Sequence, residues 1–399
     1  MRRTVTIIFL LELFALCLVL LVLPSGLHTD EAKYLLNIPY PHPPAARSFF
    51  FFLTFLPFHQ AVVRFLLASI TVQAVWLVWD MGSVLTPVRR VMLVACWLLS
   101  AALLLQAGSA MLAPLTAVFA LAFVWAALLP AGISPRAAPF LALLWLLGLF
   151  SAYQTVLFLP LVWAALRRGR VPMRFVMLYV LIPVFLLALY SFTNPLALAS
   201  MLRVTGQDVS LPLSSRLLRV GWIWLVAGSG IASIAGTWGI LTSKKIDLLL
   251  TAILVVMYIL LSPQDYYAIL FVPLLVAGAY ILLCRRRLSP TFFIPLQGAM
   301  AALFLVLLLP SPHRTLAEEV MEFLQVQGTS GVILIDGFFG HEWQYFSPVP
   351  IRRYSQELAA SVEDEAQAIV CTRISCEENI DREQWVRLGG APAEVWVRR

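Results

Sequence analysis

Apolar and polar stretches alternate along the chain as far as residue 312, and most of the apolar stretches are long enough to cross a membrane as a helix. Crossing the hydrocarbon core takes about 20 apolar residues. A first helix is predicted over Val5–Leu23, and Glu12 inside it is expected to face the helix bundle and a structural partner. Further helices are predicted at 61–79, 90–106, 111–130, 173–192, 220–241, 246–262, 266–283 and 290–310.

The stretch 139–166 has two interpretations, either one long helix or two pieces of about 12 residues that are broken at Ser151–Gln154. With two pieces, 14 Lys and Arg residues fall on one side of the membrane and five on the other. Because cytoplasmic loops carry the excess of Lys and Arg, the broken form is favoured. It gives about eleven transmembrane or half-membrane helices, a cytoplasmic N-terminus and an extracytoplasmic C-terminal part.

Composition supports an integral membrane protein and divides the chain in two. Hydrophobic residues make up 61% of the 399 positions, charged residues 12%, and the mean hydropathy is +0.88, which excludes an ordinary soluble protein. Residues 1–312 sum to a net charge of +13 and residues 313–399 to −6. The basic excess lies largely in loops between helices, so it indicates membrane topology and no nucleic-acid partner.

The acidic part at 313–399 combines helix and strand patterns. Helical spacing runs over Thr315–Gln327, and short apolar runs at 332–335, 368–371 and 395–397 predict strands. The predicted fold is therefore an all-α polytopic membrane domain, 1–312, with a small extracytoplasmic α/β domain, 313–399. Cys371 and Cys376 lie in this second part, where a disulfide is permitted, but their spacing leaves the pairing open.

The candidate chemistry lies in the first predicted outer loop, residues 25–60. Only seven acids occur in residues 1–312, and two of them, Asp30 and Glu31, are adjacent in this loop. One interpretation is structural: Asp30 caps a short interfacial helix and Glu31 is an acid of its first turn. The other is catalytic: Asp30 accepts a proton from an acceptor hydroxyl as a general base, and Lys33, one helical turn later, holds a phosphate leaving group, with His42 as a second donor.

The stretch Asp30-Glu31-Ala32-Lys33-Tyr34, followed by His42-Pro43-Pro44, resembles the first-loop signature of the GT-C glycosyltransferases. Within that superfamily it is similar to the group of the dolichyl-phosphate-mannose protein mannosyltransferases and the lipid A aminoarabinose transferases. Residues 147–154 resemble the fifth helix of that group, and residues 265–273 resemble the start of a late helix. The likeness covers about residues 1–310.

The resemblance implies an inverting transfer of a sugar from a polyprenyl-phosphate donor to a hydroxyl of a glycan, lipid or protein at the outer face of the inner membrane, as part of cell-envelope chemistry. Asp30 would then be the general base, and Glu31 would orient the loop or the acceptor. Residues implied or considered for substrate binding are Lys33, Tyr34, His42, Tyr153, Gln154, Arg203, Arg216, Arg219, Asp265 and Tyr266. Structural interpretations stay open for the three arginines as interfacial side chains, for Tyr153 and Gln154 as a packed turn, and for Asp265 as a helix cap.

Two departures from the resembled pattern bear on function. Many members of the group carry a second acid at the outer start of the fourth helix, but residues 108–115 contain none; a lysine after the fifth helix is also missing. Asp208 or Asp265 are alternatives for the acid. These departures motivate a second hypothesis, a protein that binds or carries polyprenyl lipids without catalysis. No spacing of ligands indicates a metal site, and the resemblance leaves the use of a divalent ion open.

Overall fold

The computed structural model describes residues 2–23, 26–27, 29–38, 43–195, 212–285, 290–309, 315–336, 340–353, 366–372, 380, 382–391 and 393–399. The chain divides into two compact units. A helical unit comprises Met1–Leu23 and Asn37–Leu309, and an α/β unit comprises Pro24–Leu36 and Pro310–Arg399.

The helices of the described residues fall into both units. In chain order they are α1 (Arg2–Val22), α2 (Thr29–Leu35), α3 (Pro44–Leu53), α4 (His59–Gln73), α5 (Val75–Met81), α6 (Pro87–Leu98), α7 (Ala101–Gln106), α8 (Leu112–Leu128), α9 (Ala138–Ser151), α10 (Leu159–Arg168), α11 (Met173–Thr193), α12 (Leu213–Ala227), α13 (Ile231–Thr242), α14 (Ile246–Leu261), α15 (Ala268–Cys284), α16 (Pro290–Leu308), α17 (Leu316–Val326) and α18 (His341–Phe346). Turns of 3₁₀ helix lie at Gly82–Val84, Tyr153–Phe158 and Asp265–Tyr267.

Four helical segments of the described residues are long and apolar enough to cross a membrane, so the chain is a membrane protein. They are Thr4–Val22, His59–Val84, Met173–Thr193 and Asp265–Cys284, and α12 with α13 forms a fifth if this bent pair is one span. Further apolar helices are shorter, namely Leu112–Leu128, Ala138–Ser151, Ile246–Leu261 and Phe292–Leu308. The predicted figure of about eleven segments includes such short pieces, and length and composition support four or five full spans.

The predicted break after α9 is present. Helix α9 ends at Ser151, and the chain continues through a 3₁₀ turn into α10. Thr155 is fully buried, and its hydroxyl donates to the carbonyl of Gly148 at 2.9 Å. The interrupted backbone is thus enclosed in protein and partly satisfied by a side chain, as backbone at membrane depth requires.

Two further breaks correct the sequence prediction, which placed continuous helices at 90–106 and 220–241. The first lies between α6 and α7, and the second, between α12 and α13, bends the chain by 103°. Buried Ser100 donates to the carbonyl of Ala227 at 2.6 Å, and Ser229 donates to the carbonyl of Leu99 at 2.8 Å. Each break therefore supplies the hydrogen-bond partners that the other lacks.

Gln297 of α16 joins the same two breaks. Its side-chain nitrogen donates to the carbonyls of Leu99 and Gly228 at 3.1 and 3.0 Å, and its oxygen accepts from the amide of Ala232 at 3.1 Å. The side chain is fully buried. A single amide thus satisfies three backbone groups that would otherwise face hydrocarbon.

Helix α15 forms the middle of the helical unit, and nearly all of its residues are buried. It packs closely on α13, where a Cβ added at Gly239 would collide with the carbonyl of Gly278. Small residues at this crossing let the two backbones touch, as in other membrane helix pairs. In α1, Glu12 accepts hydrogen bonds from Ser69 and Gln73, both at 2.8 Å, which confirms the structural partner expected for this acid.

The α/β unit contains a five-stranded sheet, with β1 (Val332–Asp336), β2 (Ile351–Arg353), β3 (Ala366–Cys371), β4 (Trp385–Leu388) and β5 (Glu394–Arg398) in the order β2-β1-β3-β5-β4. Strand β1 pairs in parallel with β2 and β3, and β5 runs antiparallel to β3 and β4. The three predicted strands are present, and β2 and β4 were not predicted. Cys371 is disulfide-bonded, whereas Cys376 lies outside the described residues.

Candidate active site

Helix α2 carries the residues that the sequence singled out, and it brings two of them together. The ammonium of Lys33 donates to Oδ1 of Asp30 at 2.8 Å, and both side chains are partly exposed. The pair uses one of the three Lys33 donors and one of the two Asp30 oxygens. A carboxylate oxygen that can accept a proton therefore lies beside a cation with donors to spare.

Glu31 and Tyr34 face the interior. Glu31 has no exposed surface and Tyr34 retains 3%. A fully buried carboxylate requires partners. Glu31 is therefore not open to an acceptor from solution in this structure, and its role in orienting the loop or the acceptor stays a prediction.

A cluster of hydroxyl groups lies in the helical unit where α9, α14 and α15 meet their adjoining 3₁₀ turns. The hydroxyl of Tyr258 lies 2.8 Å from that of Tyr267 and 3.5 Å from that of Tyr153, and it accepts from the side-chain amide of Gln154 at 3.3 Å. The hydroxyls of Tyr266 and Tyr267 are 3.4 Å apart. Three predicted residues, Tyr153, Gln154 and Tyr266, thus share one polar cluster with Tyr258 and Tyr267, and these five residues form the tyrosine cluster.

Two of the predicted arginines lie on α12. Arg219 forms an ion pair with Asp265 at 3.6 Å, and both side chains are well exposed. Arg216 donates to the carbonyl of Leu260 at 3.5 Å, while its Nε is buried without a hydrogen-bond partner among the described residues. Asp265 is the first residue of the 3₁₀ turn that leads into α15, and Gln264 is the N-cap residue of that turn, so the interpretation of Asp265 as a helix cap is wrong. The Asp265 side chain is instead in the ion pair.

His42 and Arg203 lie outside the described residues, as do His28 and Asp208. Asp30, Glu31, Lys33 and Tyr34 belong to the α/β unit, and the tyrosine cluster with Arg216, Arg219 and Asp265 belongs to the helical unit. Among the described residues no group of three His, Cys, Asp or Glu side chains is arranged to hold a metal ion.

The sequence interpretation missed two residues at the centre of the tyrosine cluster, Tyr258 and Tyr267, and it missed Arg47. Arg47 is 7% exposed, and its guanidinium donates to the carbonyl of Asn37 at 2.9 Å, to the Asn37 side chain, and to the hydroxyl of Tyr190 at 3.2 Å. Arg47 thus links Asn37, in the middle of the first predicted outer loop, to α11. The available signal was its position before four phenylalanines, because an arginine among apolar residues is costly to bury without hydrogen-bond partners.

Comparison with solved structures gives the fold. ArnT from Cupriavidus metallidurans bound to undecaprenyl phosphate superimposes on this chain with a TM-score of 0.66 at 13% identity, and the match covers 99% of this chain and 98% of ArnT. The apo state of the same protein gives a TM-score of 0.63 at 12% identity, with the same shares covered. The arabinofuranosyltransferase AftD from Mycobacteria gives 0.56 at 14% identity over 100% of this chain and 41% of AftD. No protein-family model matches the sequence, and no curated protein matches it.

The chain has the GT-C fold. The fold and the membrane location that were predicted from the first-loop residues are thus confirmed. Since ArnT is a lipid A aminoarabinose transferase, the similarity includes one of the two groups that the sequence resembled.

Proposed function

We propose that this protein is a glycosyltransferase that moves a sugar, with inversion, from a polyprenyl-phosphate donor to an acceptor hydroxyl at the extracytoplasmic face of the inner membrane. The observation that carries the proposal is the Asp30–Lys33 pair in a chain with the GT-C fold. The presence of undecaprenyl phosphate in the ArnT structure supports the donor class.

In this mechanism Asp30 acts on the acceptor. Its carboxylate removes the proton of the acceptor hydroxyl while that oxygen bonds to the anomeric carbon. The bond from the anomeric carbon to the phosphate oxygen breaks on the opposite face, and the electron pair leaves with the phosphate. One displacement of this kind inverts the anomeric centre.

Lys33 acts on the leaving group in the same mechanism. Two of its N–H groups are not used by Asp30, and a cation within reach of the departing phosphate stabilises the charge that develops there. His42, Arg203, Arg216 and Arg219 are proposed as additional phosphate contacts, Tyr34 as a contact of the sugar or the lipid, and the tyrosine cluster as the lining for the donor headgroup.

The test uses purified protein in nanodiscs with a panel of undecaprenyl-phosphate sugars, each offered with envelope glycan, lipid and protein acceptors. We expect Asp30→Asn to reduce transfer by about 10²–10⁴-fold, because the amide keeps the shape but is not a base. Product formation is followed by mass spectrometry. Asp80→Asn is the matched control, since Asp80 accepts from the indole of Trp125 in the helical unit and has no proposed catalytic role. Full transfer by Asp30→Asn would remove the base assignment.

A protein that binds or carries polyprenyl lipids without catalysis is the second candidate. The absence of a carboxylate from residues 108–115, where Gly108, Ser109 and Leu112 are buried in the bundle, favours it. Consumption of the sugar from any donor of the panel, absent in Asp30→Asn, would reject this candidate. Tight binding of undecaprenyl phosphate without turnover would support it.

A further inference from the structure

Within the α/β unit, a hydrogen bond joins the first residue of α2 to a residue 313 positions later in the chain. The hydroxyl of Thr29 donates to Oε2 of Glu342, at the start of α18. Asp30 is the next residue in the chain after Thr29. The contact therefore fixes the backbone immediately before the proposed general base.

The Glu342 end of this contact lies on a helix that packs in the core of the α/β unit. Helix α18 follows β1, and its Trp343 is 4% exposed in a core shared with Val320 of α17 and Ile335 of β1. The Glu342 side chain folds back over Gly340, where an added Cβ would collide with its carboxylate. A sheet-anchored helix thus presents one carboxylate to α2.

Helix α2 needs such support. It has seven residues, and an isolated helix of this length is unstable in water. Two residues after this helix ends, Asn37 has a positive φ of 54°, a backbone conformation that cannot continue the helix. At the near end of α2, the Thr29 hydroxyl donates to the Glu342 carboxylate, and a hydrogen bond to an ionised acceptor is stronger than one between neutral groups.

We propose that Glu342 is a positioning residue for the transfer reaction, which holds α2 through Thr29 so that the Asp30 carboxylate meets the acceptor hydroxyl in a reactive geometry. This role rests on the function proposed above. Helix α18 thereby takes part in catalysis without contributing a group that touches the substrate. A misplacement of about 1 Å in such a site can lower a rate about 10²-fold.

The first arm of the test needs no substrate. Hydrogen exchange of the full chain in nanodiscs, followed by mass spectrometry, reports the protection of the amides in Thr29–Leu35. Thr29→Val, Glu342→Ala and Gly340→Ala are expected to speed that exchange about tenfold or more, because each breaks or displaces the same bond. Gly340 has φ −87°, so alanine fits its backbone and acts only by moving the Glu342 side chain.

Conservative variants and a control complete this arm. Thr29→Ser keeps the donor and Glu342→Gln keeps an acceptor, so both should retain most of the protection. Glu319→Ala removes an exposed glutamate of α17 in the same unit and should change nothing in α2. Unchanged exchange of α2 in Glu342→Ala would overturn the positioning role, whether or not the chain proves to be a transferase.

The second arm measures transfer with the undecaprenyl-phosphate sugar that wild type consumes. Glu342→Ala and Thr29→Val should lower kcat about tenfold or more at an unchanged KM for the donor, and Thr29→Ser should restore kcat. A rise in KM at constant kcat would contradict positioning of the base. If wild type consumes no donor while α2 responds as expected in the first arm, the proposed function fails and the support of α2 by Glu342 stands alone.

Discussion

At the scale of single residues, scarcity was the informative property of the sequence. Seven acids in 312 residues made the adjacent pair Asp30 and Glu31 conspicuous, and the structure separates their environments, since Asp30 is paired and partly exposed whereas Glu31 is buried. Tyr258 escaped notice because a tyrosine within an apolar helix is common at membrane interfaces. Its place at the centre of a hydroxyl cluster depends on residues about 105 positions away in the chain.

Tyr258→Phe tests whether the tyrosine cluster binds the donor. The change removes the hydroxyl that faces Tyr153, Gln154 and Tyr267 and leaves the ring in place. If the cluster binds the donor headgroup, the KM for the undecaprenyl-phosphate sugar should rise about five- to tenfold, the loss of one net hydrogen bond. Tyr179→Phe, on a tyrosine that stacks on Phe175 away from this cluster, is the control and should leave KM unchanged. An unchanged KM in Tyr258→Phe would show that the cluster does not bind the donor and only packs the helices together.

At the scale of elements, the distribution of positive charge predicted one helix break, whereas the hydropathy pattern gave no sign of two others. The break at Ser151–Gln154 was predicted because a continuous helix would reverse the side on which the following arginines lie. The breaks beside Ser100 and Ser229 do not change the side of the membrane on which Lys and Arg residues lie. The serines and glycines at these breaks also do not interrupt the apolar pattern of the sequence. They form because side chains of separate helices satisfy the opened backbone, which is a tertiary effect.

Gln297→Leu tests that tertiary effect. It leaves the amide of Ala232 and two carbonyls, of Leu99 and Gly228, without this partner. We expect a loss of about 1–3 kcal/mol in the free energy of unfolding, seen as a lower thermal midpoint in detergent micelles. Leu296→Ala, on the exposed side of the same helix, should cost far less. Equal midpoints for the two variants would show that the breaks do not depend on this amide.

At the scale of the whole molecule, the predicted boundary near residue 312 describes only part of the organisation. Residues 24–36 pack with Pro310–Arg399 and so belong to the α/β unit, although they follow the first helix in the chain. A hydrogen bond between Thr29 and Glu342 has no signature in the sequence, because neither residue carries a local pattern that points to the other. The positions of most helices in the helical unit, in contrast, were predictable, because crossing a membrane takes a long run of apolar residues that is visible in the sequence.

In the proposed mechanism, a lipid phosphate binds beside the carboxylate that activates the acceptor. The most direct measurement is a cryo-electron microscopy structure of this protein in nanodiscs with undecaprenyl phosphate. We expect a phosphate oxygen within about 3 Å of the Lys33 ammonium, with the Asp30 carboxylate on the side that an acceptor can enter. A phosphate bound far from Lys33, with Asp30 turned away from the bound lipid, would contradict it.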